Sequence, residues 1–187
     1  MMKVTQTLTD EHLLILKVLH MLDLSRKQLE NGKLIPGEFY AKAMIFCSDF
    51  ADQFHHFKEE FLLFGLLSYK KQGELDSAMG TLRYQHERCK NCINQIKKAL
   101  KGYDNKEEMS ITFLLESLSI YVSLLRRHIY LEDKIFFPMA EKALSKEEKE
   151  SLTKQFADEE LRLGTREFIF ERNQSIVNEL SQIISPR

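Results

Sequence analysis

The chain has 187 residues and a formal net charge of −1; that length suits one domain burying roughly 70% of its unfolded surface, and the charge leaves no basic footprint for nucleic acid. Three cysteines, an odd number, do not make a disulfide framework, and the opening MMKVTQTLTDEH lacks the apolar core of a signal peptide, so a cytoplasmic location is expected. No apolar run approaches bilayer-spanning length, so no membrane partner is expected, and the scarcity of Gly (7) and Pro (3) points to long helices.

In chain order, Leu8, Ile15, Leu19 and Leu22 recur at helical spacing with His12 in the same stripe, predicting a helix from about Thr9 to Asn31 that stops at Gly32. Pro36-Gly37 opens a second helix, since proline suits a first turn whose N–H groups are spare. Its inner face carries Phe39, Ala43, Phe46, Phe50, Leu63 and Leu67, and Gly73 is expected to end it. From about Leu75 to Lys101 the seam Leu75, Met79, Leu82, His86, Cys89, Ile93, Ile96, Leu100 alternates steps of four and three, as shallow-angle helix packing requires. A fourth helix, about Lys106 to Phe137, carries Ile111, Leu115, Leu118, Val122, Leu125, His128, Glu132 and Ile135. Pro138 should end or kink it, because its ring clashes with the carbonyl four residues back. These four elements, joined by short links, read as an all-α, up-down-up-down four-helix bundle over residues 1–143. Residues 144–187 read as a helical extension. Its first helix opens on the capping box Ser145-x-x-Glu148 and runs to about Leu163, and a further amphipathic piece follows Gly164. This extension is expected to lie against the bundle and to offer a contact for a homodimer.

Comparing the chain with itself gives a repeat that carries chemistry. His56-x-x-x-Glu60 with Leu63-Phe64 matches His128-x-x-x-Glu132 with Ile135-Phe136 at an offset of 72 residues. His12 precedes the first copy by 44 residues and His86 the second by 42. Residues four apart share a helix face, so each helix aims ligands at the bundle centre. Burying that many imidazoles and carboxylates unpartnered would cost several kcal/mol per ion. A pair of metal ions removes the cost, and His12, His56, Glu60, His86, His128 and Glu132 are the expected ligands. Two bridging carboxylates and two histidines per metal leave room for a bridging oxide and a small molecule. Imidazole plus carboxylate suits iron, with manganese or zinc as substitutes, better than calcium or magnesium. His55 with Glu59 competes at the same spacing, but it falls about 100° round the helix and is expected at the surface or in an outer layer. Asp133 competes with Glu132, which is favoured because it matches Glu60. Cys89-x-x-Cys92 sits mid-helix without a second pair and reads as core packing.

At Phe54-His55-His56-Phe57-Lys58-Glu59-Glu60 with Leu63-Phe64, and at His128-Ile129-Tyr130-Leu131-Glu132-Asp133 with Phe137-Pro138, the chain resembles the hemerythrin-like family, the histidine–histidine–glutamate cation-binding domains. The likeness covers roughly residues 8 to 140. It implies a bundle with a non-haem di-iron centre that binds or senses dioxygen, nitric oxide, peroxide or iron. Oxygen-carrying members have a His-x-x-x-His pair on the third helix. Here Lys90 follows His86 by four residues and Leu82 precedes it by four, so four histidines are expected rather than five. That departure turns the expectation from reversible carriage toward a sensor, with an enzyme acting on peroxide or as an oxidase as the alternative.

Overall fold

Every apolar stripe in the sequence becomes a helix in the computed structural model of the chain, which describes residues 3–70 and 73–184. The helices are α1 (Gln6–Glu30), α2 (37–70), α3 (Gly73–Tyr103), α4 (Glu108–Ala143), α5 (Lys146–Leu163) and α6 (Arg166–Ile184), with no strand among the described residues. Gly32, at φ 76°, ends α1; Lys33 N–H donates to the Gln28 carbonyl at 2.9 Å, closing the last turn through a left-handed glycine as helix C-termini commonly do.

The core consists of two apolar blocks separated by a polar layer. One block takes Leu14 to Leu29 of α1, Phe39 to Phe54 of α2, Cys89 to Tyr103 of α3 and Leu114 to Ile129 of α4. The other takes Leu8, then Leu63 to Leu67, then Leu75 to Leu82, then Phe136 to Leu144. Each successive helix therefore crosses from one block to the other in the opposite direction, which is the up-down-up-down order that short connections favour. Each crosses the intervening polar layer once: α1 at residues 11–12, α2 at 55–59, α3 at 85–86 and α4 at 128–132.

Two of the helices depart from regular α geometry where they meet that layer. In α2 the segments Cys47–His56 and Lys58–Leu63 adopt wide i→i+5 turns, and in α4 Glu132–Phe136 does the same. Such wide turns concentrate at functional sites. In α4 the wide turn also explains why Pro138 does not end the helix. The proline lacks an N–H and would clash with the carbonyl of Lys134 in a regular helix, but Lys134 lies within the loosened segment, so the chain continues to Ala143. The resulting continuous helix is long and apolar enough to cross a membrane by length and composition, contrary to the expectation from local runs. Leu114, Leu118, Tyr121, Val122, Leu125, Ile129 and Phe136 of this helix are bundle core, while Met109, Phe113, Ile120, Tyr130 and Ile135 are exposed. Gly73 likewise starts α3 rather than ending α2, which closes in a 3₁₀ turn at Ser68–Lys70.

The last two helices run end to end along the groove between α1 and α2. Ser145 caps α5 through the anticipated capping box, with Glu148 N–H donating to Ser145 Oγ and Ser145 N–H to the Glu148 carboxylate. Lys70 pairs with Glu148 and Lys58 with Glu160, so α5 runs antiparallel to α2. Gln174 then meets Lys17, Glu179 meets Lys42, and the Ile184 carbonyl accepts from Gln28, so α6 continues the same way, parallel to α1. The apolar residues Ile169, Val177, Leu180 and Ile184 are buried in the process.

Candidate metal centre

Seven side chains fill the polar layer: His12 from α1, His55, His56 and Glu59 from α2, His86 from α3, and His128 and Glu132 from α4. None is more than 4% exposed. They form two groups whose potential ligand atoms lie within 4.8 Å of one another, His56–Glu59–His86–His128 and His12–His55–Glu59–Glu132. Glu59 belongs to both. Its Oε1 is 3.4 Å from His55 Nε2 and its Oε2 3.5 Å from His86 Nε2. Glu132 spans the layer in the same way, its Oε2 lying 3.3 Å from His12 Nε2 and 3.0 Å from His128 Nε2, and its Oε1 3.8 Å from His86 Nε2.

Each histidine is held from behind. His12 Nδ1 meets Asp133 at 2.9 Å, His55 Nδ1 meets Glu11 at 2.8 Å, His86 Nδ1 meets Glu60 at 2.5 Å and His128 Nδ1 meets the Gln85 amide oxygen at 2.9 Å. His56 Nδ1 faces Asp52 at a longer 3.4 Å. Carboxylate and amide oxygens accept, so Nδ1 must donate, and in the neutral ring the lone pair is left on Nε2, aimed into the layer. This is how metal-binding histidines are oriented and made more basic.

A pseudo-twofold relation organises these contacts. Offsetting the halves by 73 residues pairs His55 with His128, Glu59 with Glu132, Glu60 with Asp133, Leu63 with Phe136 and Phe64 with Phe137. In each half the residue preceding the lone histidine (Glu11, Gln85) holds the histidine of the next helix. The residue following the central glutamate (Glu60, Asp133) holds the lone histidine of the other half. His56 stands outside the symmetry, its counterpart being Ile129.

This geometry sets the expected residues in their places. His12, His56, His86, His128 and Glu132 are brought together. Glu60 is not among them: its side chain is 21% exposed, as is that of Asp133, and both serve as outer acceptors. Glu59 takes the central place instead. His55, expected at the surface or in an outer layer, is 1% exposed and stands in one of the two inner groups. The reason is that the layer is wider than a single seam. His55 faces α1, with its ring 4.6 Å from that of His12, while His56 faces α3 and stacks on His86 at 3.8 Å. The roughly 100° between neighbours, which seemed to exclude one of them, sends them to opposite sides of a two-part site. Five histidines gather, not four. The signal that identifies Glu59 and His55 is the 73-residue offset, at which the buried Leu63 and Phe136 coincide; at 72, Leu63 matches Ile135, which is 45% exposed.

The electrostatics show what such a layer lacks by itself. The Nε2 atoms of His12 and His55 and all four carboxylate oxygens of Glu59 and Glu132 are buried without a hydrogen-bond partner, an arrangement proteins avoid unless something satisfies it. Burial and the nearby Glu132 carboxylate push Glu59 well above the ordinary carboxylate range. Glu132 is held well below it, because His128, His12 and His86 outweigh the effect of burial. Burial and the neighbouring His86 lower His56 to about 3. In His12 burial works downward, but the hydrogen bond to Asp133 and the Glu132 carboxylate close beside the ring prevail and raise it to about 9. A cation centred among these atoms would satisfy the lone pairs and screen the two carboxylates from each other. The donors fit a metal pair.

A cavity of about 220 Å³ reaches the layer at His56, bounded by Asp52, Phe57, Glu60, Phe61 and Lys90. Cys47, Cys89 and Cys92 are free and buried in the core, and burial raises all three thiols, Cys47 to about 12. They are packing residues, neutral at physiological pH. The family model described as the hemerythrin HHE cation binding domain matches residues 3–140. No curated protein and no solved structure matches the chain.

Proposed function

The chain belongs to the hemerythrin family of HHE cation-binding domains, and from that premise we propose that it is a non-haem di-iron protein that binds or senses dioxygen, nitric oxide, peroxide or iron. The observation that supports this reading is the pair of buried His/Glu groups sharing Glu59. Imidazole and carboxylate together suit iron, and manganese or zinc would satisfy the same donors. His56, Glu59, His86 and His128 would hold one ion and His12, His55, Glu59 and Glu132 the other. When bound, an iron pair would supply a redox centre that in its ferrous state can give electrons to a small oxidant. The protein supplies the rest. Asp133, Glu11, Glu60 and Gln85 fix the imidazoles, Phe137 stacked on His12 and Phe64 stacked on His86 cover the layer on one side, and the cavity at His56 admits a small molecule past Phe57 and Phe61. Lys90, 3.6 Å from Asp52, places a positive charge at that entrance.

Anaerobic loading with ferrous iron should give two irons per chain by metal analysis, and exposure to dioxygen or nitric oxide should produce a charge-transfer absorption. Fewer than two irons per chain would sink the di-iron reading. An enzyme consuming peroxide is the second reading, favoured by the Lys90–Asp52–His56 contacts at the cavity, where a proton donor meets the entrance. Sustained peroxide turnover that falls at least tenfold in Lys90→Met would support it, whereas one stoichiometric oxidation would favour sensing.

A further inference from the structure

The family match ends at residue 140, before α5 begins, yet the C-terminal column reaches the metal layer. Its break, at residues 164–165, lies level with that layer in the groove between α1 and α2, and one charged side chain enters from each side of the break. Glu160 is 7% exposed; it meets Lys58, which in turn meets Glu11, and both of these are 0% exposed. Arg166 Nη1 donates to Glu160 Oε1 at 2.7 Å and to Glu11 Oε1 at 3.0 Å, and Lys58 Nζ donates to Glu160 Oε1 at 2.9 Å and to Glu11 Oε1. Two cations thus face two carboxylates, and the cluster buries no net charge, the condition under which such groups persist in a core. Glu11 keeps its other oxygen, Oε2, for His55 Nδ1.

We propose that Glu160 and Arg166 are positioning residues for one half of the metal pair: by fixing Glu11, and through it His55, the C-terminal column completes the ion position formed by His12, His55, Glu59 and Glu132. This inference rests on the two-ion reading above and adds an asymmetry to it. The position at His56, His86 and His128 has the neutral amide of Gln85 where the other has Glu11, and no contact with α5 or α6 supports it among the described residues. A carboxylate acceptor that is itself locked in place orients its imidazole and raises its basicity. Binding linkage is reciprocal, so an ion at this position tightens the docking of α6 by the same factor that α6 tightens the ion.

The test is calorimetric titration of the full chain with ferrous iron without oxygen, paired with amide hydrogen exchange. The unaltered protein should bind two equivalents. Arg166→Ala should weaken one of them on the order of 10–100-fold and leave the other within about threefold. Arg166→Lys, which keeps a charge, should recover part of the loss, and Glu160→Gln should weaken the same equivalent should Arg166→Ala fail to fold. Iron should slow exchange in residues 166–184 of the unaltered protein and not of Arg166→Ala. Leu180→Ala, which removes a buried contact of α6 away from the layer, separates positioning from general stability: it should lower the melting temperature without altering iron affinity. Equal weakening of both equivalents, no weakening of either, or the same loss in Leu180→Ala would overturn the proposal. A wild-type stoichiometry below two would overturn the di-iron reading itself, a result distinct from those.

Discussion

Glu59 and Glu60 are chain neighbours with opposite surroundings, and their substitutions should separate cleanly. In Glu59→Gln a carboxylate that burial and Glu132 both disfavour is replaced by a neutral isostere. The metal-free protein should melt higher, by about 2–4 °C for each kcal/mol relieved, while metal binding is lost. Glu60→Gln should retain both metals and shift only the spectrum of the loaded centre, since it changes the partner of His86 Nδ1 and no donor. Metal analysis and thermal melts of the two variants check the contrast; loss of metal in Glu60→Gln alone would reverse the assignment. His12 gives the pH dependence. Its metal-free pKa of about 9 lies above the ordinary 6.5, so its stabilising contribution is complete below pH 6.5 and lost as pH rises through 9. With chelator present, the melting temperature should fall by several degrees between pH 6.5 and 9.5, and His12→Gln should flatten that slope.

At the scale of the helix, the sequence pattern is reliable where the period is regular and misleading where it is not. The seam of α3 keeps strict steps of four and three, and Leu75, Met79, Leu82, His86, Cys89, Ile93 and Ile96 of it are buried, Leu100 partly so; Cys92, Ala99, Gly102 and Tyr103, outside the seam, are buried as well. In α2 the wide turns at Cys47–His56 and Lys58–Leu63 put more residues in each turn than a 3.6 period allows, and the 72-residue register that aligns His56-x-x-x-Glu60 with His128-x-x-x-Glu132 selects Glu60 in place of the buried Glu59. Caps obey local rules because their partners lie within the same few residues. Ser145→Ala should therefore cost about 1 kcal/mol in denaturant unfolding, with iron stoichiometry unchanged; a loss of iron would tie α5 to the site by a route other than Glu160.

For the whole molecule, metal content and stability are one question, because an ion bound only by the native state stabilises it by mass action. At a hundredfold excess over the dissociation constant each ion adds about 2.7 kcal/mol, so removing both should lower the melting temperature by roughly 10–20 °C in a chain of this size. Unchanged melting on chelation would mean that the two blocks of apolar core carry the fold alone. The sequence by itself determined the helices, their alternating order, and the gathering of histidines and glutamates in one polar layer, because these follow from periodicity, turn residues and a repeat, all local or self-referential signals. Only the tertiary structure decided that His55 and Glu59 enter the centre, that Glu60 and Asp133 stand behind it, and that α5 and α6 bring Glu160 and Arg166 to Glu11. Those choices depend on which helix each side chain faces across the bundle. That is set by packing between segments remote in the chain, where wide turns and a broken C-terminal column rotate and cover surfaces that a regular four-helix pattern would leave elsewhere.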